Sequence, residues 1–330
     1  MSQHDYSLAN GDGATFRADL NAALAAILSG NSGSTAPTTT APFMLWFDTS
    51  TGVLKQRNAG DTAWLSAVTA TSQTVLGAVQ GGFKNLKVST RGLTNSSSVI
   101  TADAVQLYTS ASGQYTTVSA VNVTGTITSI GANGLDTGSV AASTWYYVFV
   151  IYNPTTSTTA ALFSLSATAP TLPSGYTYFA RVGAVRSQAA SPYYLLQTLQ
   201  YGRRVQYAVL ASSNVAALPV MATGAAGSTS TPTWVAVTTG SFVPPTASQV
   251  DVLLSNLSGS TTDTAIAAPN NNYGAMGSTS NPPPLYSTSN NGYNIYTPAV
   301  GSMLLESTSI YWASSSTTGR LFCRGWEDNI

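Results

Sequence analysis

Apolar residues recur along this chain with two different periods. Between residues 14 and 29, Phe16, Leu20, Leu24, Ile27 and Leu28 are spaced by fours and threes, the repeat of one helix face. Ala18, Ala22, Ala23, Ala25 and Ala26 fill the rest of that segment with strong helix formers. Asp12 or Thr15 is a candidate N-cap, and Gly30-Asn31 ends the helix because both residues tolerate a left-handed backbone. A single apolar stripe must pack on something, either a neighbouring sheet or copies of itself. Ser32–Thr40 then reads as a polar tether.

Beyond the tether the period falls to two. Phe43 to Asn58 reads as a strand, a tight turn from Asp48 to Gly52, and a second strand. Asn58-Ala59-Gly60-Asp61 forms another turn, and Thr62-Ala63-Trp64-Leu65 a third strand. A meander this small cannot bury Trp46, Phe47 and Trp64 by itself. It needs its own helix or another protein against it.

From residue 77 to 203 the pattern is β throughout. Val99–Leu107 alternates, as does a segment from Tyr115 through Val121, Val123 and Ile127. Trp145–Tyr152 is apolar or aromatic on both faces, which predicts a central strand covered on both sides. Tyr176–Arg186 and a segment through Tyr194, Leu196 and Thr198 complete this part. From 204 to 330, strands are expected at Val205–Leu210, Trp234–Thr238, Val250–Leu254, Ser302–Leu305, Ile310–Ala313 and Leu321–Trp326. The expected fold is mainly β: an N-terminal helix with a small β-meander over 1–70, followed by two antiparallel jelly-roll-like β-sandwich domains, 77–203 and 204–330.

One segment escapes that pattern. Pro269–Pro298 reads as a loop of about thirty residues, a length that is usually functional or disordered. It is rich in Asn and carries Tyr273, Tyr286, Tyr293 and Tyr296. Rings that stack on sugar faces beside amides that bond hydroxyls suit a glycan-binding surface. The plainer alternative is that these tyrosines pack the loop onto its own sandwich.

Composition narrows the chemistry. Only 7% of the 330 residues are charged, Lys+Arg and Asp+Glu balance at 12 each, and there is one histidine and one cysteine. Ser and Thr together make up about a quarter of the chain. Zero formal charge gives no drive toward a nucleic-acid backbone, and the Arg203-Arg204 pair reads as solvated or as an interface pair. No apolar run is long enough for membrane insertion, and Met1–Tyr6 lacks the pattern of a secretory signal. Cys323 has no partner for an intrachain disulfide and reads as a small core hydrophobe, which fits synthesis in a reducing cytosol.

No metal site or cofactor is expected, because His4 is alone near a mobile end. The same histidine is the only one available to a Ser-His-Asp triad. Glycoside cleavage needs only two carboxylates, and Asp103, Asp136, Asp251, Asp263 and Glu306 are the candidates. They share no motif, so the expectation is that the protein is not an enzyme.

The stretch Phe16–Ile27, the Ser/Thr/Pro tether and the Trp46-Phe47-Asp48…Gly52-Val53-Leu54-Lys55…Trp64 meander together resemble the N-terminal segment of tail fibre and related appendage proteins of tailed bacteriophages. The run Gly175–Gly183 and the Ser/Thr-rich β character extend the resemblance more loosely. A glycine-rich repeat and a long coiled coil are missing, which favours a short appendage over a slender fibre. The resemblance implies a structural virion protein, assembled in the host cytoplasm and docked on tail, baseplate or capsid proteins. Phe16, Leu20, Leu24, Ile27, Trp46, Phe47 and Trp64 would be its docking residues. It also implies a homo-oligomer, most simply a trimer, whose β domains reach a host surface glycan. A polysaccharide-degrading tailspike-type enzyme is the alternative, although the short regular rungs of a β-helix are absent. A free carbohydrate-binding module would leave the first seventy residues without a role.

Overall fold

In the computed structural model, which describes residues 3–8, 10–69, 80–92, 96–109, 114–256, 262–290 and 295–330, the chain is mainly β, with one helix among these residues. Its contacts divide it into two units. The first is Met1–Gly82 with Gln106–Thr117, and the second is Phe83–Val105 with Val118–Ile330.

The first unit begins with helix α1 (Gly13–Leu28). Of the two candidate caps, Asp12 fills the role: its carboxylate accepts from the Ala14 and Thr15 amides at 3.0 and 2.8 Å. Gly30 and Asn31 adopt φ of 62° and 55° and end the helix as expected. Strands β1 (Leu45–Asp48), β2 (Val53–Arg57) and β3 (Trp64–Thr69) form an antiparallel meander in that order.

Two expectations about this unit are corrected. The tether is not free: Asn31 and Ser32 are buried, and the Gly33 amide donates to Phe47 O at 3.1 Å along the open edge of β1. Farther along, the Thr40 hydroxyl bonds Asp61 at 3.0 Å. An edge strand has backbone groups that need partners, and this segment supplies them. Nor is His4 solitary. Its side chain is only 9% exposed and lies 2.8 Å from Asp19 on α1, while Gln3 fills the space that Gly33 leaves by lacking a Cβ.

Most of a fourteen-stranded sheet belongs to the second unit, and it includes residues on both sides of position 203. Its early strands are β4 (Phe83–Lys84), β5 (Lys87–Ser89), β6 (Ser97–Thr109), β7 (Gln114–Thr126) and β8 (Gly134–Leu135), with residues 106–109 and 114–117 assigned to the first unit. β9 (Trp145–Asn153), β10 (Thr158–Ser164), β11 (Tyr178–Arg186), β12 (Thr198–Tyr201), β13 (Arg204–Tyr207) and β14 (Val220–Thr223) follow. After β15 (Val235–Thr238) come β16 (Ala247–Ser255), β17 (Thr262–Ala268), β18 (Leu285–Asn290), β19 (Ile295–Thr297), β20 (Ala299–Leu304), β21 (Ser309–Ser314) and β22 (Arg320–Asp328).

The large sheet runs β20-β16-β22-β13-β12-β5-β6-β11-β9-β10-β8, with β4 and β7 on β6 and β14 on β22. A second sheet runs β15-β21-β17-β18-β19. The boundary expected at 203 falls in the tight turn between β12 and β13, which are neighbours in one sheet. The short β8 pairs parallel with β10, a departure from an all-antiparallel arrangement.

Alternation decides which faces are dry. Tyr146 to Ile151 are all buried, and β9 lies between β10 and β11 as its two apolar faces predict. Near the C-terminus, Val250, Val252 and Leu254 of β16 and Leu321, Cys323 and Trp326 of β22 share a core with Ile310 and Trp312 of the five-stranded sheet. The two sheets approach closely at Gly301, where a Cβ would stand 2.5 Å from the Leu285 side chain. The Trp326 ring meets Trp145 and Tyr207 edge-on, at 5.3 and 5.6 Å between centroids.

A buried ion pair ties β11 to β22. Arg181 Nη1 lies 3.0 Å from each oxygen of Asp328 and 3.1 Å from the Thr246 hydroxyl. The same hydroxyl donates to Asp328 at 2.6 Å, and Arg181 Nη2 donates to Asn329 O. Asp328 is fully buried, so its charge depends on these donors. Asp328→Ala should therefore cost about 3–5 kcal/mol in urea denaturation, because the guanidinium is left buried and unpaired. A double change to Arg181→Met and Asp328→Leu should cost clearly less.

Candidate functional site

The residues expected to dock lie on two surfaces of the first unit. Along α1, the small side chains Ala23 and Ala26 are the buried ones. Phe16, Leu20, Leu24, Ile27 and Leu28 are exposed by 45, 37, 53, 61 and 90%. The helix thus packs through Ala23 and Ala26, and its large apolar stripe has no cover among the described residues.

Strand parity divides the meander in the same way. Trp46 is 5% exposed, donates its indole N–H to Gly33 O at 3.2 Å, and meets Trp64 edge-on at 5.3 Å. Lys55 and Arg57 lie over these two rings, at 4.7 and 5.1 Å from their centroids. Trp46 is therefore a packing residue of the unit and offers no docking surface, while Trp64 is half-buried against it. The opposite face carries Leu45, Phe47, Leu54 and Leu65 by register, with Leu45 and Leu65 exposed and Phe47 half-buried. Of the expected docking set, the structure leaves the helix residues, and in part Phe47, available.

Asp48 organises the first turn. It is 3% exposed, with Lys55 Nζ 2.8 Å from one oxygen and the Ser50 amide and hydroxyl at 3.0 and 2.6 Å from the other. Burial alone would raise its carboxyl, but the bonds from Lys55, Ser50 and Thr51 outweigh it and hold the group well below the usual carboxylate range.

The segment from Pro269 to Pro298 is not one irregular loop. Residues 285–290 form β18, paired with β17 and β19 in the five-stranded sheet. Tyr286 stands opposite Ile266 and is 57% exposed. Tyr296 pairs in register with Ser289, and Tyr293 lies outside the described residues. Tyr273 is half-buried, and its carbonyl accepts from the Trp234 indole at 3.0 Å. The asparagines close the remaining loop: Asn270 bonds Glu306 at 2.8 Å, and the Asn281 side chain bonds Asn272 O at 2.8 Å. Of these tyrosines, Tyr286 is the one shown exposed.

The carboxylates considered for hydrolysis each have separate partners. Asp103 bonds Asn85, Asp136 the Thr137 and Thr171 amides, and Asp263 the Ser315 hydroxyl. Asp251, which is buried, accepts from Ser302 and lies 3.3 Å from Arg204 Nη2. Among the described residues, no group of three or more His, Cys, Asp or Glu side chains could hold a metal, and no helix is long and apolar enough to cross a membrane. Cys323 is fully buried, and burial pushes its thiol up to about 12.

No protein-family model, curated protein or solved structure matches the chain.

Two expected outcomes follow from these environments. Cys323 should resist a maleimide in the folded protein at pH 8 and react once the chain is unfolded in urea, as read by mass spectrometry. Asp48 binds its proton more weakly when folded than when unfolded. Its contribution is therefore complete at neutral pH, begins to fall near the ordinary value of 3.8, and continues to fall below it. Asp48→Asn should weaken the first unit at pH 7 and flatten its acid sensitivity, followed through the Trp46 indole proton resonance.

Proposed function

We propose that this chain is a structural virion protein of a tailed bacteriophage, a short appendage docked through its first unit. The observation that carries the proposal is the α1 stripe: five large apolar side chains are exposed while Ala23 and Ala26 of the same helix are the buried ones. Uncovered apolar surface of this kind marks an interface. The outward Leu45, Leu65 and Phe47 face of the meander adds to it. The occupants are other copies of the chain, in a closed homo-oligomer taken as a trimer, and a tail, baseplate or capsid protein. The β body, taken as two sandwich-like lobes, projects from that attachment toward a host surface glycan. Its Ser/Thr-rich, weakly charged composition suits a scaffold, and the separately engaged carboxylates give nothing that favours the polysaccharide-cleaving alternative.

Replacing Leu24 and Ile27 by Asp tests the proposal without touching a buried side chain. The double variant should keep its melting temperature, lose self-association in light scattering, and be missing from purified particles. Unchanged oligomer mass together with wild-type incorporation would refute the docking role.

A further inference from the structure

Antiparallel register places residues from four strands in one outward row. Lys87 on β5 pairs with Thr101 on β6 and with Tyr201 on β12, and Tyr201 pairs with Arg204 on β13. The alternating residues Val88, Gln200 and Val205 are buried, which turns the cations and the ring outward. Tyr201 is 60% exposed, with the Lys87 ammonium 5.6 Å from its ring centroid. The Arg204 side chain is 72% exposed. Arg91, just past β5, borders a cavity of about 450 Å³ with Tyr201 and Arg204. A second depression of about 520 Å³ lies on the other side of Tyr201, lined by Lys87, Thr101 and Phe83.

This concentration of positive charge is unusual within the chain. There are only 12 Lys and Arg residues against 12 carboxylates, yet three of those cations surround one exposed ring. The nearby acids do not neutralise all of them. Asp251 engages Arg204, Glu327 stands next to Arg204 in register on β22, and Asp103 engages Lys84 and Asn85. Among the described residues, neither the Lys87 ammonium nor the Arg91 guanidinium forms an ion pair with a carboxylate.

We propose that this depression binds an anionic saccharide. A sugar ring stacks on Tyr201, its carboxylate is held by Arg91 and Arg204, and Gln206 lies within the same cavity to meet hydroxyls. Guanidinium forks match a carboxylate, and a single exposed ring of this size matches a sugar face. A nucleic acid fits less well, because its backbone is held by many phosphate contacts and the chain as a whole carries no net charge. The inference deepens the host-contact part of the proposed function by naming the ligand chemistry.

The test is titration of the full chain with polygalacturonate, with neutral dextran and single-stranded poly(dT) alongside. Polygalacturonate should bind, more weakly as salt is raised, and dextran should not. Arg91→Gln or Tyr201→Ala should each weaken that binding about tenfold, the loss of one charge-assisted contact or one stacking ring. Both side chains are exposed and should leave the melting temperature unchanged, and Tyr286→Ala should leave binding unchanged. Equal binding of dextran, binding insensitive to both variants, no binding, or equal binding of poly(dT) would each overturn the inference. Incorporation into particles is measured separately. A protein that incorporates normally but ignores polygalacturonate would overturn this site alone.

Discussion

The second unit depends on how its last strand is held. β22 lies between β13 and β16, carries β14 on one end, and supplies Leu321, Cys323 and Trp326 to the C-terminal core. Chain ends fray unless they are tied down. The buried Arg181–Asp328 pair provides the tie, joining residues 147 apart in sequence. Such a pair gains little over well-packed apolar residues, but breaking it by removing one partner is costly. It therefore fixes the position of β22 more than it adds stability. Once β22 is placed, the register of β13 and β16 follows, and with it the Lys87, Tyr201 and Arg204 row on the outer face.

The first unit solves a different problem. Its helix and three-stranded meander are too little to enclose their own large apolar residues. It buries Ala23, Ala26 and Trp46 and caps the two indoles with Lys55 and Arg57. Both cations are also committed to carboxylates, Lys55 to Asp48 and Arg57 to Asp61. The interior is thus closed by cation–ring contacts rather than by leucine. The large side chains of the helix, Leu20, Leu24, Ile27 and Leu28, are left outside. Pairing of the Gly33 segment along β1 makes helix and meander a single unit rather than two linked pieces.

Local signals in the sequence were reliable where the physics is local. The Asp12 cap, the Gly30-Asn31 stop and the doubly apolar β9 depend on neighbours a few residues away, and each is visible in the amino-acid order. β18 is hidden because, after Leu285, its inward positions are Ser287 and Ser289, which read as loop although both are buried. Burying small hydroxyl residues gives a strand with no hydrophobic alternation to detect. His4 looked unsupported because its partner, Asp19, is reached only once residues 3–8 fold back along α1. The Arg181–Asp328 pair and the Tyr201 row were not legible for a related reason. Both arise from strand pairings between distant segments, and no single window of sequence contains them.

Charge scarcity gives these pairings their functional weight. In an ordinary protein surface, two or three cations around a tyrosine would be lost among dozens of alternating charges. Here most described acids already serve a fixed structural partner: Asp48 a lysine, Asp61 and Asp328 arginines, Asp12 a helix N-terminus. Ser and Thr make up about a quarter of the chain, and their hydroxyls neither steer nor repel an ion at a distance. Against that background a small cluster of exposed cations sets the local potential, screened only over the Debye length of about 8–10 Å at physiological salt. Specificity for a charged ligand then needs few residues, since little else on the surface competes for it. A chain poor in chemistry can still discriminate, provided its fold brings the few charges it has to one place beside an open ring.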